Sequence, residues 1–413
     1  MANDSSKKSG KIVTLLLMML SLTTIYTLPY LMYTYYTPLQ EAMGLVGQDA
    51  AYGKLLNVYG IANVILYIPG GWIADKFDAK KLLVFSMVAT GALGIWESFF
   101  PSYTALMIIH ILFAVTTVLT YWSSSIKCIN VIAGANEQGT MFGSLESGRG
   151  IVGLIMTTIF VAIYTASASM SGVILTVSIV MIICGLLFAK FMPNTNVEGT
   201  TNESIKDSLK ALGAAFKSPI TYLLAGLIFT ASMTKASTSY FAPYLENVCG
   251  MDVKITTIFA NYNSTLTGFI GAAVAAICAR KIGRSSTPMI FAGIILAASY
   301  VIMLCLPAAA SAMYPLLIFM IIASLSFTVF RALYYAVIDE MGAPKNEVGT
   351  IIGIASILGF LPDTFYTTLC GTWLEKFGVG GYKNIFISCV CAAALGIVCS
   401  IISEKKIIKA RAK

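Results

Sequence analysis

Gly71-Trp-Ile-Ala-Asp75-Lys76-Phe-Asp78-Ala-Lys80-Lys81 is a knot of mixed charge set between two long apolar runs. Charge is scarce in the chain as a whole: Asp, Glu, Lys and Arg make up 11% of it, against about 25% in an ordinary soluble domain. Such a cluster has to sit in water, and apolar runs on both sides make it a short loop at a membrane face. Outward from it the composition agrees, with 57% apolar residues and a mean hydropathy of +0.82. A bilayer span takes about 20 apolar residues. Twelve such runs occur, near 12–38, 54–74, 81–100, 103–128, 138–165, 169–191, 219–246, 255–279, 286–306, 313–338, 348–373 and 383–402. The expected fold is an all-α membrane protein with twelve transmembrane helices.

Basic residues set the orientation, since Lys and Arg accumulate in cytoplasmic loops. Of the 27, Lys54, Lys254, Lys376 and Lys383 fall in connections on one side, and Lys127, Arg149, Lys235 and Arg331 fall in or at the ends of spans. The rest lie at the termini and in the even-numbered connections, which puts both termini in the cytoplasm of a multi-pass inner-membrane protein. The net charge of +8 is this bias, with no nucleic-acid partner implied. The first apolar run is too long for a signal peptide and lacks a small-residue cleavage site, so it is expected to stay. Of nine cysteines only Cys249 falls in an outer connection, so disulfides and metal sites are not expected, nor is a cofactor.

Residues 193–217 form the longest polar connection and divide the chain into six spans and six, an N-terminal bundle over 1–192 and a C-terminal bundle over 218–413. Two repeats link them. Tyr26-Thr-Leu-Pro29-Tyr30-Leu31 recurs as Tyr240-Phe-Ala-Pro243-Tyr244-Leu245, and Asn136-Glu137-Gln-Gly139-Thr140 recurs as Asn346-Glu347-Val-Gly349-Thr350. Parallel six-span repeats around a midplane site are a transporter architecture.

The Gly71–Lys81 segment resembles the signature loop of the major facilitator superfamily, Gly-x-x-x-Asp-Arg/Lys-x-Gly-Arg/Lys-Arg/Lys, through Gly71, Asp75, Lys76, Lys80 and Lys81. It departs at Asp78, where the family has Gly. A second copy over 276–284 keeps Lys281, Gly283 and Arg284 but has Ala276 and Arg280 for the Gly and Asp. The resemblance implies two pseudo-symmetric bundles and a cytoplasmic gate made by the loop with Lys127, a cation that commonly pairs with the signature Asp. It further implies a latch that is strong in the first half only. Tyr-x-x-Pro-Tyr and the Glu146-Ser-Gly-Arg149-Gly run look more narrowly like bacterial organic-anion and sugar-acid members, such as the permease of sulfoquinovose-degradation operons.

Ionisable groups inside hydrocarbon cost at least about 2.5 kcal/mol each and need a reason. Arg149 falls near the midplane of the fifth span, where its planar fork suits a carboxylate, sulfonate or phosphate; a self-neutralising pair with Glu146, one turn away, is the alternative. Arg331 in the tenth span reads as a second anion contact or a gate partner of Asp339 or Glu340. Lys235 stands among Ser232, Thr234, Ser237, Thr238 and Ser239, a wet face suited to solute binding or coupling. Tyr26, Tyr30, Tyr240 and Tyr244 are candidate solute contacts, with Asn57, Asn63, Asn261 and Asn263 adding neutral hydrogen bonds. Asp363, after Pro362, is a candidate proton carrier together with Glu146, or else an ion-pair partner of Lys235 or Arg149. Glu97 is expected at the exposed outer interface, and His110 as a hydrogen-bonded packing residue.

These readings describe a secondary active transporter, expected as a monomer, that moves a small organic anion (carboxylate, sulfonate or sugar acid) by alternating access with a proton as coupling ion. Anion exchange without a proton, and efflux of drugs or neutral solutes, are the alternatives. An enzyme is not expected: no Walker loop, HExxH or GxSxG occurs.

Overall fold

The computed structural model describes residues 2–133, 138–192, 215–344 and 347–411; the side chains of 2–11, 68, 71, 75, 130–133, 138–144, 146 and 147 lie outside the description. The described residues are helical, without a strand, and their helices fill the twelve expected spans. The first span, α1, runs from Ala2–Thr24 through a short 3-10 turn, Leu31–Tyr33, into Tyr36–Ala42. Then follow α2 (Asp49–Lys76), α3 (Ala79–Glu97) and α4, which is Tyr103–Ala114, a π-helical stretch Val115–Trp122, and Ser123–Ala133. The first half closes with α5 (Gln138–Ser167) and α6 (Met170–Phe191). In the second half α7 comprises Pro219–Ser237, Thr238–Tyr240 and Phe241–Cys249, followed by α8 (Val253–Ile282) and α9 (Ser286–Cys305). Two broken spans, α10 (Met313–Leu333 and Ala336–Glu340) and α11 (Val348–Gly359 and Pro362–Phe377), precede α12 (Val379–Arg411).

Nine described helices are each long and apolar enough to cross a bilayer. The remaining three spans are α1, α2 and α7. Two of these are interrupted near Pro29 and Pro243, and α2 carries Lys54, Asn57 and Asn63. A proline removes one backbone donor and clashes with the preceding turn, so each break has a local cause in the sequence.

By contact the chain divides into two compact units. The first comprises Met1–Met32, Pro38–Gly44 and Val58–Thr200; the second comprises Tyr33–Thr37, Leu45–Asn57 and Thr201–Lys413. Within the first, α3 and α6 pack most extensively. Small residues let them approach: a Cβ on Gly91 would fall 2.7 Å from Ser178 O, and one on Gly185 2.8 Å from a Val88 methyl. Thr90 donates to Thr116 across 2.8 Å, and Ser86 and Thr120 share a 2.6 Å hydrogen bond, tying α3 to the π-helical stretch of α4. In the second unit the equivalent spans, α9 and α12, pair in the same way. There a Cβ on Gly293 would meet Ile397 at 2.6 Å, and one on Gly396 would meet Thr230 of α7 at 2.8 Å. Leu224, Ile228, Met289 and Phe330 fill the core of this unit.

Candidate functional site

The local chemistry of α7 explains where Lys235 sits. Thr234, Ser237, Thr238 and Ser239 each turn the hydroxyl back onto a carbonyl of the preceding turn, at 2.6–2.7 Å. Such back-bonding bends helices, and Pro243 then withholds the next donor. The helix tightens into the 3-10 turn Thr238–Tyr240 directly after Lys235. Lys235 is half-buried, its Nζ 4.9 Å from the centroid of the Tyr33 ring.

A cavity of about 520 Å³, counting its open mouth, lies in the second unit between α7, α8 and α10. Lys235 and Arg331 both line it, and among its described lining residues there is no carboxylate. The two cations stand within electrostatic range of each other. Like charges sharing one wall repel unless an anion lies between them. Asn263 also lines it; its Nδ2 donates to Ser324 Oγ across 2.8 Å, and its buried Oδ1 has no partner among the described residues.

Asp363 reaches the same neighbourhood through the break in α11. Phe360 and Leu361 interrupt the helix, and Pro362 opens the next piece at its first position, where a missing N–H costs nothing. Asp363 thus occupies the first turn of a helix that begins inside the span, where the exposed N–H groups favour negative charge. Its Oδ1 accepts from Ser232 Oγ at 2.6 Å, one turn before Lys235, and the carboxylate is within electrostatic range of Lys235. Asn57 fixes this helix start: Nδ2 donates to Asp363 O at 2.9 Å, and Oδ1 accepts from Thr368 N at 2.8 Å and from the Thr368 hydroxyl.

Arg149 belongs to the first unit. It is half-buried and within electrostatic range of the hydroxyls of Tyr26 and Tyr121. Tyr26 packs edge-on to Tyr121 and Trp122, with centroids at 6.3 and 6.5 Å, and donates to Thr117 O at 3.2 Å. Tyr30 packs edge-on to Tyr59 at 5.4 Å. Thr117, Tyr121 and Trp122 all come from the π-helical stretch of α4, a winding frequent at functional sites. The side chains of Glu146, Gly71 and Asp75 lie outside the described residues.

Tyr240 and Tyr244 are not among the cavity's lining residues. Tyr240 is fully buried, donates to Thr367 O at 3.0 Å and packs on Tyr36; Tyr244 packs edge-on to Tyr382 and Phe386. Both rings serve as packing, and the Tyr240 hydroxyl is already spent. Glu97 departs from its expected exposure. It is 1% exposed, and its Oε2 has no partner among the described residues. Distance along a span placed it at the interface; burial depends on neighbours that only the fold supplies. His110 packs as expected, with Nδ1 2.9 Å from Leu106 O.

In the signature loop Lys76 stacks over Trp72, 3.9 Å from the ring centroid, and Lys81 is exposed while Lys80 is half-buried. Asp78, the departure from the family pattern, is the N-cap of α3 and accepts from Lys81 N at 3.3 Å. An aspartate at that position satisfies an orphan helix donor, which gives the substitution a physical reason. Lys127 donates to Ala74 O at 2.7 Å, at the C-terminal end of α2. The second copy is held by other contacts: Arg284 pairs with Glu404 of α12 at 2.5 Å, and Ser285 donates its N–H and hydroxyl to Glu340 of α10. Glu404 and Glu340 stand more than 50 residues from the loop and carry no local signal that would pair them with it.

Residues 12–367 match the sequence profile of the Major Facilitator Superfamily. Inner membrane protein YqcE of Escherichia coli K12 is 30% identical over 401 residues, covering 92% of each chain, and inner membrane protein YihN of the same organism is 26% identical over 395 residues, covering 93% of each. Among solved structures, a bacterial homolog of the human lysosomal transporter Spinster in an inward-facing conformation superimposes with a TM-score of 0.69 at 14% identity, covering 95% of this chain and 97% of that one. The nucleoside transporter NupG superimposes with a TM-score of 0.72 at 16% identity, covering 97% and 99%. At these identities the structural likeness concerns the fold.

Proposed function

The chain belongs to the Major Facilitator Superfamily and is a transporter, not an enzyme; from that premise we propose that it moves a small organic anion by alternating access across the inner membrane, with both termini in the cytoplasm. One observation carries the reading: Lys235 and Arg331 line a single cavity that has no carboxylate among its described lining residues. Their mutual repulsion makes the empty site a poor resting place and the anion-filled site a good one. Within the first unit, Arg149 and the aromatic group around Tyr26 are further candidate solute contacts. Replacement of Arg331 by Gln, which keeps a polar side chain and removes the charge, is expected to weaken binding of the transported anion at least tenfold; unchanged affinity would sink the anion reading.

We further propose proton symport through Asp363. As a carboxylate, Asp363 competes with the solute for Lys235, within whose range it lies. A proton on Asp363 ends that competition, so proton and anion each strengthen the other's binding, as linkage requires. Anion exchange without a proton would leave affinity independent of Asp363. The signature loop with Lys127 is the proposed cytoplasmic gate.

A further inference from the structure

The last turns of α12 stay docked on the second unit after the apolar run has ended, and we infer that their outward face binds the headgroup of an anionic phospholipid. Ile407 is fully buried in the core of that unit, together with Val337, Ile338 and Met341. Arg411 Nη2 donates to Gly283 O across 2.6 Å, which ties the end of α12 to the connection between α8 and α9. These two contacts fix the rotation of the helix about its axis. With Ile407 inward, Ile401, Ile402, Lys405, Ile408 and Lys409 recur at three- and four-residue spacings on the opposite side, and all five are exposed. Ile401 and Ile402 belong to an apolar span, where an exposed aliphatic side chain meets lipid. Lys405 and Lys409 continue that stripe about 5–12 Å further along the axis, the depth at which hydrocarbon gives way to headgroups. Ile408, 50% exposed between the two lysines, fits the boundary of acyl chain and headgroup better than open water.

The charge on this face is uncompensated. Two carboxylates stand nearby and both are spent elsewhere: Glu404 accepts from Arg284, Ser286 and Thr287, and Glu340 accepts from Ser285. Among the described residues Lys405 and Lys409 form no ion pair, and neither do Arg280 and Lys281 at the end of α8, which are also exposed. A zwitterionic headgroup brings its own ammonium to the phosphate and gains little from such a field. A headgroup with net negative charge brings the phosphate alone, and each basic side chain near it strengthens binding several-fold. Free phosphate would meet the lysines but leave Ile401, Ile402 and Ile408 without a partner, so the lipid is the occupant that uses the whole stripe.

The test is native mass spectrometry of the full-length protein in detergent, titrated with phosphatidylglycerol or with phosphatidylcholine of the same acyl chains. The wild type is expected to bind phosphatidylglycerol at least about tenfold more tightly. Lys405→Gln combined with Lys409→Gln should reduce that preference about tenfold, while Lys405→Arg combined with Lys409→Arg should keep it. Both positions are exposed, and surface substitutions of this kind leave folding intact. Equal affinity of the wild type for the two lipids, or a preference that survives the glutamine pair, overturns the inference. Displacement of bound phosphatidylglycerol by an equal concentration of inorganic phosphate assigns the site to a free anion and overturns it as well.

Discussion

Ser232 donates its hydroxyl to Asp363 Oδ1 across 2.6 Å, joining α7 to the helix start that follows Pro362. Ser232 is 5% exposed and sits one turn before Lys235, so the bond fixes the carboxylate beside the cationic wall of the cavity. Ser232 and Lys235 lie one turn apart on α7, so the bond brings the α11 carboxylate to the turn of α7 that carries Lys235.

Asp363→Asn removes the titrating group and keeps the acceptor for Ser232. In reconstituted vesicles, counterflow of labelled solute is expected to persist while uphill uptake driven by a proton gradient is lost. In the wild type, anion affinity should rise as pH falls, because the protonated carboxyl no longer competes for Lys235; in Asp363→Asn it should be flat with pH. Full gradient-driven accumulation in the variant would rule Asp363 out as the proton site.

The start of α2 and the second piece of α11 touch backbone to backbone. A Cβ on Gly371 would fall 2.3 Å from Asp49 C and O, and one on Gly53 would fall 2.4 Å from Thr367 O. Contacts this short with backbone atoms cannot be relieved by a side-chain rotation. Gly371→Ala should therefore push these segments apart and strip the hydrogen bond from Thr367 Oγ1 to Gly53 O, now 2.8 Å. Spin labels at Lys54 and Lys376, both exposed, would report a longer mean distance in Gly371→Ala than in the parent; an unchanged distance distribution would refute the close approach.

Hydropathy exposed the twelve spans because burial in lipid demands long apolar runs. Prolines marked the breaks in α1, α7 and α11 because a missing donor acts locally. The cations that line the cavity were also legible, since a charge within hydrocarbon is costly wherever its neighbours are. Partners distant in sequence were not. Tyr240 shares a motif with Tyr26, yet a motif does not say which hydroxyl is spent on a backbone carbonyl, and Tyr240's goes to Thr367. The carboxylate of Glu97 is buried by packing that no local pattern records. Glu404 meets its loop only because α12 returns alongside α9.

That last contact bears on the second copy of the signature loop, which lacks the family's Asp. Glu404 accepts from Arg284, from Thr287 at 3.0 Å and from the fully buried hydroxyl of Ser286. Glu404→Ala would leave Ser286 buried without this partner, a loss of about 1–3 kcal/mol. Glu404→Gln, which keeps an acceptor, should cost less. Thermal unfolding of the purified protein is the measurement, and Arg284→Ala in both backgrounds isolates the charge pair. Identical melting of Glu404→Ala and the parent would show that the loop is held by other contacts.

In the first half the corresponding clamp is Lys127, whose Nζ reaches Ala74 O at 2.7 Å where α2 ends. Carbonyls in the last turn of a helix lack intrahelical donors, and a cation there satisfies one and complements the helix dipole. A charged hydrogen bond of this kind contributes about 1.5–3 kcal/mol. Lys127→Met keeps the length of the side chain and removes the donor, so it should destabilise the end of α2 and raise hydrogen exchange at residues 74–78. If Lys127 also pairs with Asp75 as the family resemblance implies, a double-mutant cycle of Lys127→Met with Asp75→Asn will show a coupling of 0.5 kcal/mol or more, on the order expected for interacting neighbours. Strict additivity would confine Lys127 to the carbonyl of Ala74 and remove it from the gate.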